Sequence, residues 1–314
     1  YGTGRLWQQK KLTETKKIQR TSRTVGYTDC LDPASSYKSF VEWFRYWSLN
    51  AKEARIKAHE AGQSSTRTEF DDYLQSVSSA VNTCIQPAGW TDIEYSFSRD
   101  ALVAHHEQFG ELPVELLSDG IRNMIGMVAD IAFRATKLNG HLGAFAAVQT
   151  PGIVLIDEVD MHLHPGWQQV VLQYLTQAFP SMQFIVTTHS PQILSTVSSD
   201  CVRILSSELD PETGKRVTEV RKVEWQTRGV ASSDLLARIM GVDPIPNVPE
   251  AQWVSDYQAL IQQNLHQESE GRALRAQLEA HFGARHPVMH ECDRMVRLQS
   301  FKQRFPRDLE NGER

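Results

Sequence analysis

The stretch Gly152-Ile153-Val154-Leu155-Ile156-Asp157-Glu158 decides the fold of this chain. Five glycine or aliphatic residues precede two acids, with no turn residue between them. A short apolar run of this kind predicts a strand buried on both faces, as in a parallel sheet. Its two carboxylates then lie at the carboxyl edge of the sheet, where α/β folds bind their ligands. A buried strand that merely ends in acidic surface residues fits these residues equally well, so both interpretations remain open at this point.

The residues that follow favour a functional edge. Residues 166–179 have the apolar spacing of an amphipathic helix, and a second apolar segment follows at residues 184–186. Strand, helix and strand in that order predict a right-handed parallel unit, which brings His189 to the same edge as Asp157 and Glu158. An Asp-Glu pair at this edge suits nucleotide hydrolysis, because the first carboxylate can hold Mg²⁺ and the second can deprotonate an attacking water.

A third motif lies upstream, where Leu117-Ser118-Asp119-Gly120-Ile121-Arg122 opens a strongly periodic helix. Ser118 is a natural N-cap, and Asp119 suits the positive end of the helix dipole. An ordinary capped helix explains this pattern. A serine and a glycine at a helix start also predict an anion site, because free backbone N–H groups point outward there.

These three motifs, in this order, resemble the ABC-type ATPase heads of the RecF and SMC group. The resemblance covers about residues 112–205 and implies an α/β fold with a parallel-sheet core. It implies that Asp157 is the Mg²⁺ ligand, Glu158 the general base and His189 the sensor of the γ-phosphate. It also implies nucleotide contacts from the signature motif and the D-loop, through Ser118, Asp119, Gly120, Arg122 and Asp160, with the signature motif facing the nucleotide of the opposite protomer.

The Leu-Ser-Asp-Gly-x-Arg and Leu-His-Pro variants point to the anti-phage and overcoming-lysogenization-type branch of this group. Within that branch the chain most resembles the PtuA-type ATPases of Septu and retron anti-phage defence systems, and residues 229–234 contribute to this resemblance. This finer resemblance implies ATP and Mg²⁺ as cofactors and a homo-oligomer built around ATP. It also implies an HNH nuclease partner of the PtuB type and, in retron versions, a reverse transcriptase with its RNA-linked DNA. A RecF-like DNA-repair or chromosome-associated ATPase is the alternative, and it would need a DNA-binding surface.

A head with its own nuclease domain, as in the overcoming-lysogenization family, is a third class. That domain needs a Glu-Gly-x-Glu turn and an Asp-x-Asp pair, and neither occurs in residues 190–314. Any nucleic-acid cleavage is therefore expected from a partner.

The sequence departs from the family in one respect, because no Gly-x-x-x-x-Gly-Lys-[Ser/Thr] motif occurs in its 314 residues. In the family a strand and this phosphate loop come first, so we expect the lobe that carries them to precede Tyr1 and the complete protein to bind ATP. A degenerate head that does not hydrolyse ATP is the rival interpretation. The presence of Glu158 and His189 disfavours it, since such a head has no chemical need for either.

Composition is that of an ordinary globular protein, with a net charge of −5 that does not demand a nucleic-acid partner. The four cysteines are isolated and no apolar run is long enough to span a bilayer, so we expect a cytoplasmic protein without a membrane segment. His281, His286, His290 and Cys292 match no common zinc spacing. Residues 1–35 are basic. A solvated loop and a nucleic-acid contact both fit such a segment, and we favour the solvated loop.

Two domains are expected. Residues 1–228 form the ATPase head, with a helical subdomain at about 36–86, and residues 229–314 form a C-terminal helical region that docks a partner. Helices are predicted over 37–61, 68–84, 232–240, 250–282 and 289–305. Strands over 92–98 and 102–105 are expected to lead back into the sheet.

Overall fold

The computed structural model describes residues 1–3, 26–27, 30–31, 37–62, 67–209 and 214–304. Most of the basic segment 1–35 lies outside these residues. The chain divides into two compact units, Tyr1–Met240 and Gly241–Arg314.

A parallel pair of strands forms the part of the first unit that the apolar runs predicted. Strand β4 (Gly152–Ile156) pairs in parallel with β5 (Met182–Val186), and helices α5 (Pro165–Gln168) and α6 (Val171–Ala178) lie between them in the chain. The predicted strand–helix–strand unit is confirmed. The single helix predicted over 166–179 is broken, because the Val170 N–H bonds to the Trp167 carbonyl three residues back and Val170 leaves helical geometry.

Burial of β4 differs from the prediction, which placed the strand between two covered faces. Val154 and Ile156 are buried in the core, whereas Ile153 and Leu155 are 66% and 56% exposed. Side chains alternate across a strand, and in the described residues only the face of Val154 and Ile156 packs in the core, with residues of α6 such as Leu175. The prediction of burial on both faces is therefore wrong for this structure.

Three long helices build most of the core of the first unit. They are α1 (Tyr37–Glu60), α2 (Glu69–Ile85) and α3 (Asp119–Leu138). The bounds of α1 and α2 lie within one residue of those predicted. The aromatic side chains of α1 point inward, since Phe40, Phe44 and Trp47 are each 1% exposed. They therefore pack in the core of the first unit, as a helical insertion. A reciprocal capping box between Thr68 and Asp71 starts α2.

The strands before α3 form a sheet of their own. Strands β1 (Trp90–Ser96), β2 (Ala101–His106) and β3 (Gly110–Pro113) pair antiparallel in that order. The expectation that they lead back into the β4–β5 sheet is wrong, because among the described strands β1, β2 and β3 pair only with one another. The sequence analysis did not predict β3, a four-residue strand that ends in Pro113.

The other elements described in the first unit include three short helices and one antiparallel hairpin. Helix α4 (Ala146–Gln149) precedes β4, and α7 (Pro191–Leu194) leads into the antiparallel hairpin β6 (Arg203–Leu209) and β7 (Arg216–Lys222). Helix α8 (Ser232–Arg238) packs against α7, with Leu235 buried and the Gly229 N–H bonded to the Ser195 carbonyl at 2.8 Å. Residues 229–240 thus belong to the first unit, whereas we predicted a boundary after residue 228.

The second unit contains three helices, α9 (Pro249–Gln262), α10 (Ser269–Phe282) and α11 (Pro287–Arg304). Its own small core comprises the buried side chains Tyr257, Ile261, Leu278, Met289 and Cys292. The single helix predicted over 250–282 is wrong. The chain leaves α9 through Asn264, whose φ is +64°, and a loop precedes α10.

In the described part of the chain, no helix combines the length and the apolar character that crossing a membrane requires.

Candidate active site

The first carboxylate of the predicted pair is held at the carboxyl edge of β4 and β5. Asp157 directly follows β4, Thr187 directly follows β5, and the Thr187 hydroxyl donates to Asp157 Oδ1 at 2.5 Å. On the opposite edge of β4, the Asp157 N–H donates to the Tyr1 carbonyl at 2.8 Å. Asp157 is therefore fixed from both sides, by its side chain and by its main chain.

The second carboxylate lies on a strained backbone. Glu158 has a φ of +47°, a left-handed conformation that costs a residue with a side chain about 1–2 kcal/mol. Its N–H donates to the Thr187 hydroxyl at 2.8 Å, and its carbonyl accepts from the Met161 N–H at 3.0 Å. The next N–H, of Val159, bonds to the Thr187 carbonyl at 3.0 Å. These bonds hold the sharp turn that directs the chain away from the sheet at the second acid.

A second threonine repeats the arrangement one residue later. The Thr188 hydroxyl donates to Asp160 Oδ1 at 2.5 Å and accepts the Ser190 N–H at 3.0 Å. His189 lies between Thr188 and Ser190 and is exposed. The parallel register of β4 and β5 thus brings Asp157, Glu158 and His189 to one edge, as the sequence predicted, and the Thr188 bond adds Asp160.

The predicted signature motif lies at the start of α3. Ser118 occupies the N-cap position, as predicted, but its side chain makes no capping hydrogen bond. Asp119 forms an exposed ion pair with Arg122 at 2.9 Å, and Arg122 also donates to the Glu115 carbonyl.

Gly120 brings α3 against the loop that follows β4. A Cβ atom on Gly120 would lie 2.5 Å from the carbonyl oxygen of His162. The backbone of His162 is left-handed, with a φ of +64°. One turn on, Asn123 Nδ2 donates to the Met161 carbonyl at 3.5 Å. The close approach requires a glycine here for packing within one protomer, whatever else this residue contacts. Nucleotide binding by Ser118, Asp119, Gly120, Arg122 and Asp160 stays a prediction.

A buried polar cluster anchors Tyr1 behind the edge. The Tyr1 hydroxyl donates to Asp130 Oδ2 at 2.6 Å, and Arg134 Nε donates to the same oxygen at 2.9 Å. Burial, together with the neighbouring Asp130 carboxylate, raises the pKa of the Tyr1 phenol well above its ordinary value. Tyr1 therefore keeps its proton and joins the middle of α3 to the backbone of Asp157.

The donor set at the edge fits a magnesium ion better than a closed metal site. Within the residues that the structure describes, no three His, Cys, Asp or Glu side chains cluster closely enough to hold a metal. Mg²⁺ commonly takes one or two protein carboxylates and completes its shell with waters and substrate phosphates. Asp157 would provide a hard oxygen ligand of that kind, and its role as a Mg²⁺ ligand stays a prediction.

Sequence reasoning did not assign a role to Thr187 and Thr188. Their position was a usable signal, because hydroxyl residues directly after a parallel strand come to the same edge as the acids after its neighbour. A threonine pair there is also common in ordinary strand ends, so this signal alone does not reveal which carboxylate each hydroxyl contacts.

Comparison with known proteins places this geometry in a family context. Residues 64–195 match the family model described as "AAA domain, putative AbiEii toxin, Type IV TA system". The matched residues include the start of α3, the edge of β4 and β5, and His189.

Three relatives extend the similarity beyond that domain. The chain is 33% identical over 200 residues to the Retron Ec83 probable ATPase of Escherichia coli, covering 63% of this chain and 34% of that protein. It is 28% identical over 234 residues to the Retron Vc95 probable ATPase of Vibrio cholerae, covering 64% and 44%. It is 28% identical over 138 residues to the Septu protein PtuA of Bacillus thuringiensis, covering 43% and 33%.

The matched part of the chain thus spans less than half the length of each of these relatives. Residues 64–195 match an AAA domain model, and the chain is a homologue of the proteins named as retron probable ATPases and of the Septu protein PtuA.

Proposed function

We propose that this protein binds ATP with Mg²⁺ and hydrolyses it as the regulatory subunit of an anti-phage defence complex. One observation carries the proposal. Two consecutive acids lie at the carboxyl edge of a parallel strand pair, held there by Thr187, with His189 on the neighbouring strand end. The match of residues 64–195, which include this edge, to an AAA domain model supports a nucleotide as its ligand.

Each residue at the edge has a distinct proposed role. Asp157 holds Mg²⁺, which when bound neutralises charge on the β- and γ-phosphates. Glu158 orients the attacking water and accepts its proton, a task for which a half-buried carboxylate on a fixed backbone is suited. His189 contacts the γ-phosphate from the end of β5, and its solvent exposure leaves it accessible to a ligand.

The signature motif is proposed to act across a dimer. Ser118 and Asp119 are exposed at the N-terminus of a long helix, where backbone N–H groups favour an anion. In this proposal they bind the nucleotide held by the opposite protomer, with Gly120, Arg122 and Asp160 completing the contact surface. ATP would then join two protomers around a composite site.

The output of the complex is proposed to be nucleic-acid cleavage by a partner. Homologues named as retron and Septu proteins support membership in such a system. An HNH nuclease of the PtuB type is the proposed effector, and a reverse transcriptase with its RNA-linked DNA joins it in a retron setting. ATP binding and hydrolysis by this protein would control that nuclease.

The decisive experiment is Glu158→Gln in the full-length protein, assayed for ATP binding and for steady-state hydrolysis. Glutamine keeps the shape of the side chain but cannot accept a proton, so binding should persist while turnover falls on the order of 10²-fold or more. Glu94→Gln, on the exposed surface of β1, is the matched control and should hydrolyse ATP normally. Near-normal turnover in Glu158→Gln would remove this residue from the role of general base.

A further inference from the structure

We propose that Thr187 is a positioning residue that sets the geometry of both carboxylates at once, an inference that rests on the ATPase function proposed above. Its hydroxyl bonds to both residues of the pair, through Asp157 Oδ1 at 2.5 Å and the Glu158 N–H at 2.8 Å. Neither the sequence motifs nor the comparisons assign it a role.

The direction of the two hydrogen bonds follows from the chemistry of the groups. A backbone N–H can only donate, so the Thr187 oxygen accepts from Glu158. A hydroxyl has one proton to give, and that proton is then directed to the Asp157 carboxylate. The hydroxyl therefore acts as donor and acceptor simultaneously, and neither bond can be kept by a side chain that lacks the oxygen.

The bond between the Glu158 N–H and the Thr187 hydroxyl holds Glu158 in an unfavourable backbone conformation. A φ of +47° is unfavourable for a glutamate, and such strain persists only where surrounding contacts hold it. Thr187 supplies two of those contacts, the hydroxyl to the Glu158 N–H and the carbonyl to the Val159 N–H. Loss of the hydroxyl removes the bond to the Glu158 N–H, while the Thr187 carbonyl and the Met161 N–H keep theirs, so Glu158 gains freedom to move out of the left-handed conformation.

The position of Thr187 directly after β5 gives the contact a second consequence. It lies two residues before His189 and bonds through its own N–H to the Ile156 carbonyl at 2.9 Å. One residue thus joins the base-bearing turn to the segment that carries the histidine. A shift of that segment would be transmitted to Glu158 through Thr187.

The test compares Thr187→Val, which keeps the branched shape without the hydroxyl, with Thr187→Ser, which keeps the hydroxyl. Thr187 is exposed, so valine leaves no buried polar group without a partner. Thr176→Val is the matched control, because Thr176 is an exposed threonine of α6 whose hydroxyl bonds only to its own helix. Two quantities are measured in the full-length protein, kcat and KM for ATP, and amide hydrogen exchange at Glu158.

We expect Thr187→Val to lower kcat on the order of 10-fold to 100-fold, the scale of a displaced catalytic group, while KM changes little. Exchange at the Glu158 amide should become about fivefold faster, as for the loss of one hydrogen bond. Thr187→Ser should restore both quantities, and Thr176→Val should change neither.

Wild-type kcat and wild-type exchange in Thr187→Val would overturn the positioning role. A Thr187→Ser protein as defective as Thr187→Val would overturn it too, because the methyl group and not the hydroxyl would then matter. Failure of the wild-type protein to hydrolyse ATP would instead overturn the proposed function, and exchange at Glu158 would still decide whether Thr187 holds the turn.

Discussion

The carboxyl edge of β4 and β5 and the helical unit Gly241–Arg314 use their polar groups in opposite ways. At the edge, carboxylates accept hydrogen bonds from neighbouring threonines, and the backbone turns through left-handed residues at Glu158 and His162. In the helical unit, Arg275 forms partly exposed ion pairs with Glu279 and Asp293, around a core that is apolar.

This difference indicates where chemistry and where stability are concentrated. Strained backbone and fixed carboxylates cost free energy and are retained where geometry matters for function. Partly exposed ion pairs and a small apolar core contribute to the stability of the fold but do not position a reacting group. We therefore expect changes at the edge to alter hydrolysis, and changes in the helical unit to alter stability or partner binding.

The largest effect is expected from removing the helical unit. Truncation after Met240 should abolish co-purification with a nuclease encoded beside this protein, and defence activity with it, while nucleotide binding by the remaining protein persists. The structural reason is that Gly241–Arg314 is a compact unit with a core of its own. A pull-down with the neighbouring gene products, read beside an ATP-binding assay, checks this.

The point of truncation matters. Ending the chain after Arg228 also removes Leu235, which is 2% exposed in the first unit, and the Ser232 hydroxyl bond to Gln192. This shorter protein is expected to be less stable, so it serves as the comparison that separates loss of docking from damage to the head. Intact partner capture by the protein that ends at Met240 would refute docking through the helical unit.

A smaller effect is expected from a cavity in the helical unit. Leu278 is fully buried between α9, α10 and α11, so Leu278→Ala should lower the free energy of unfolding of this unit by about 2–5 kcal/mol. Leu298→Ala, at a position that is 48% exposed, is the control and should cost far less. Urea unfolding measures the loss, and ATP turnover at low temperature should equal that of the wild type. An equal loss of turnover would contradict the separation of the two regions.

The sequence predicted the edge better than the elements around it, for a physical reason. The apolar run before Asp157 and the helical spacing after it are local patterns, and they determine a parallel unit almost alone. Which face of β4 is covered depends on neighbours that are distant in sequence, so the exposure of Ile153 and Leu155 could not be read from the run.

In the helical unit, the apolar periodicity of the sequence led to a wrong prediction. Apolar spacing continues through residues 250–282 and conceals the break. Asn264 and Gly271 were the available signals. Asn tolerates a left-handed backbone, and Gly271 leaves room for the His266 carbonyl, which a Cβ would approach to 2.5 Å. The roles of Thr187 and Thr188 required the register between two strands, which no local pattern contains.

The smallest effect concerns the helices behind the edge and depends on pH. Lys137 lies in the last turn of α3, with its ammonium 3.5 Å from the centroid of the Trp43 ring. Burial lowers its pKa to about 8, while the Glu69 carboxylate acts in the opposite direction. Since the unfolded chain keeps this proton until about pH 10.4, it binds more protons than the folded chain between these two values, and the free energy of unfolding rises with pH across that window.

The rise should be modest, at most about 2 kcal/mol, because the side chain is partly solvated and the aromatic ring stabilises the charge. Lys137→Met removes the titrating group and should flatten the response between pH 8 and 10, which urea titrations at matched ionic strength measure. Turnover should be unchanged in this variant at pH 7.5, because α3 places Lys137 roughly 28 Å along its axis from Ser118. A pH response that survives Lys137→Met would assign the titration to another group, and a large loss of turnover would show that the helices and the edge are not separable.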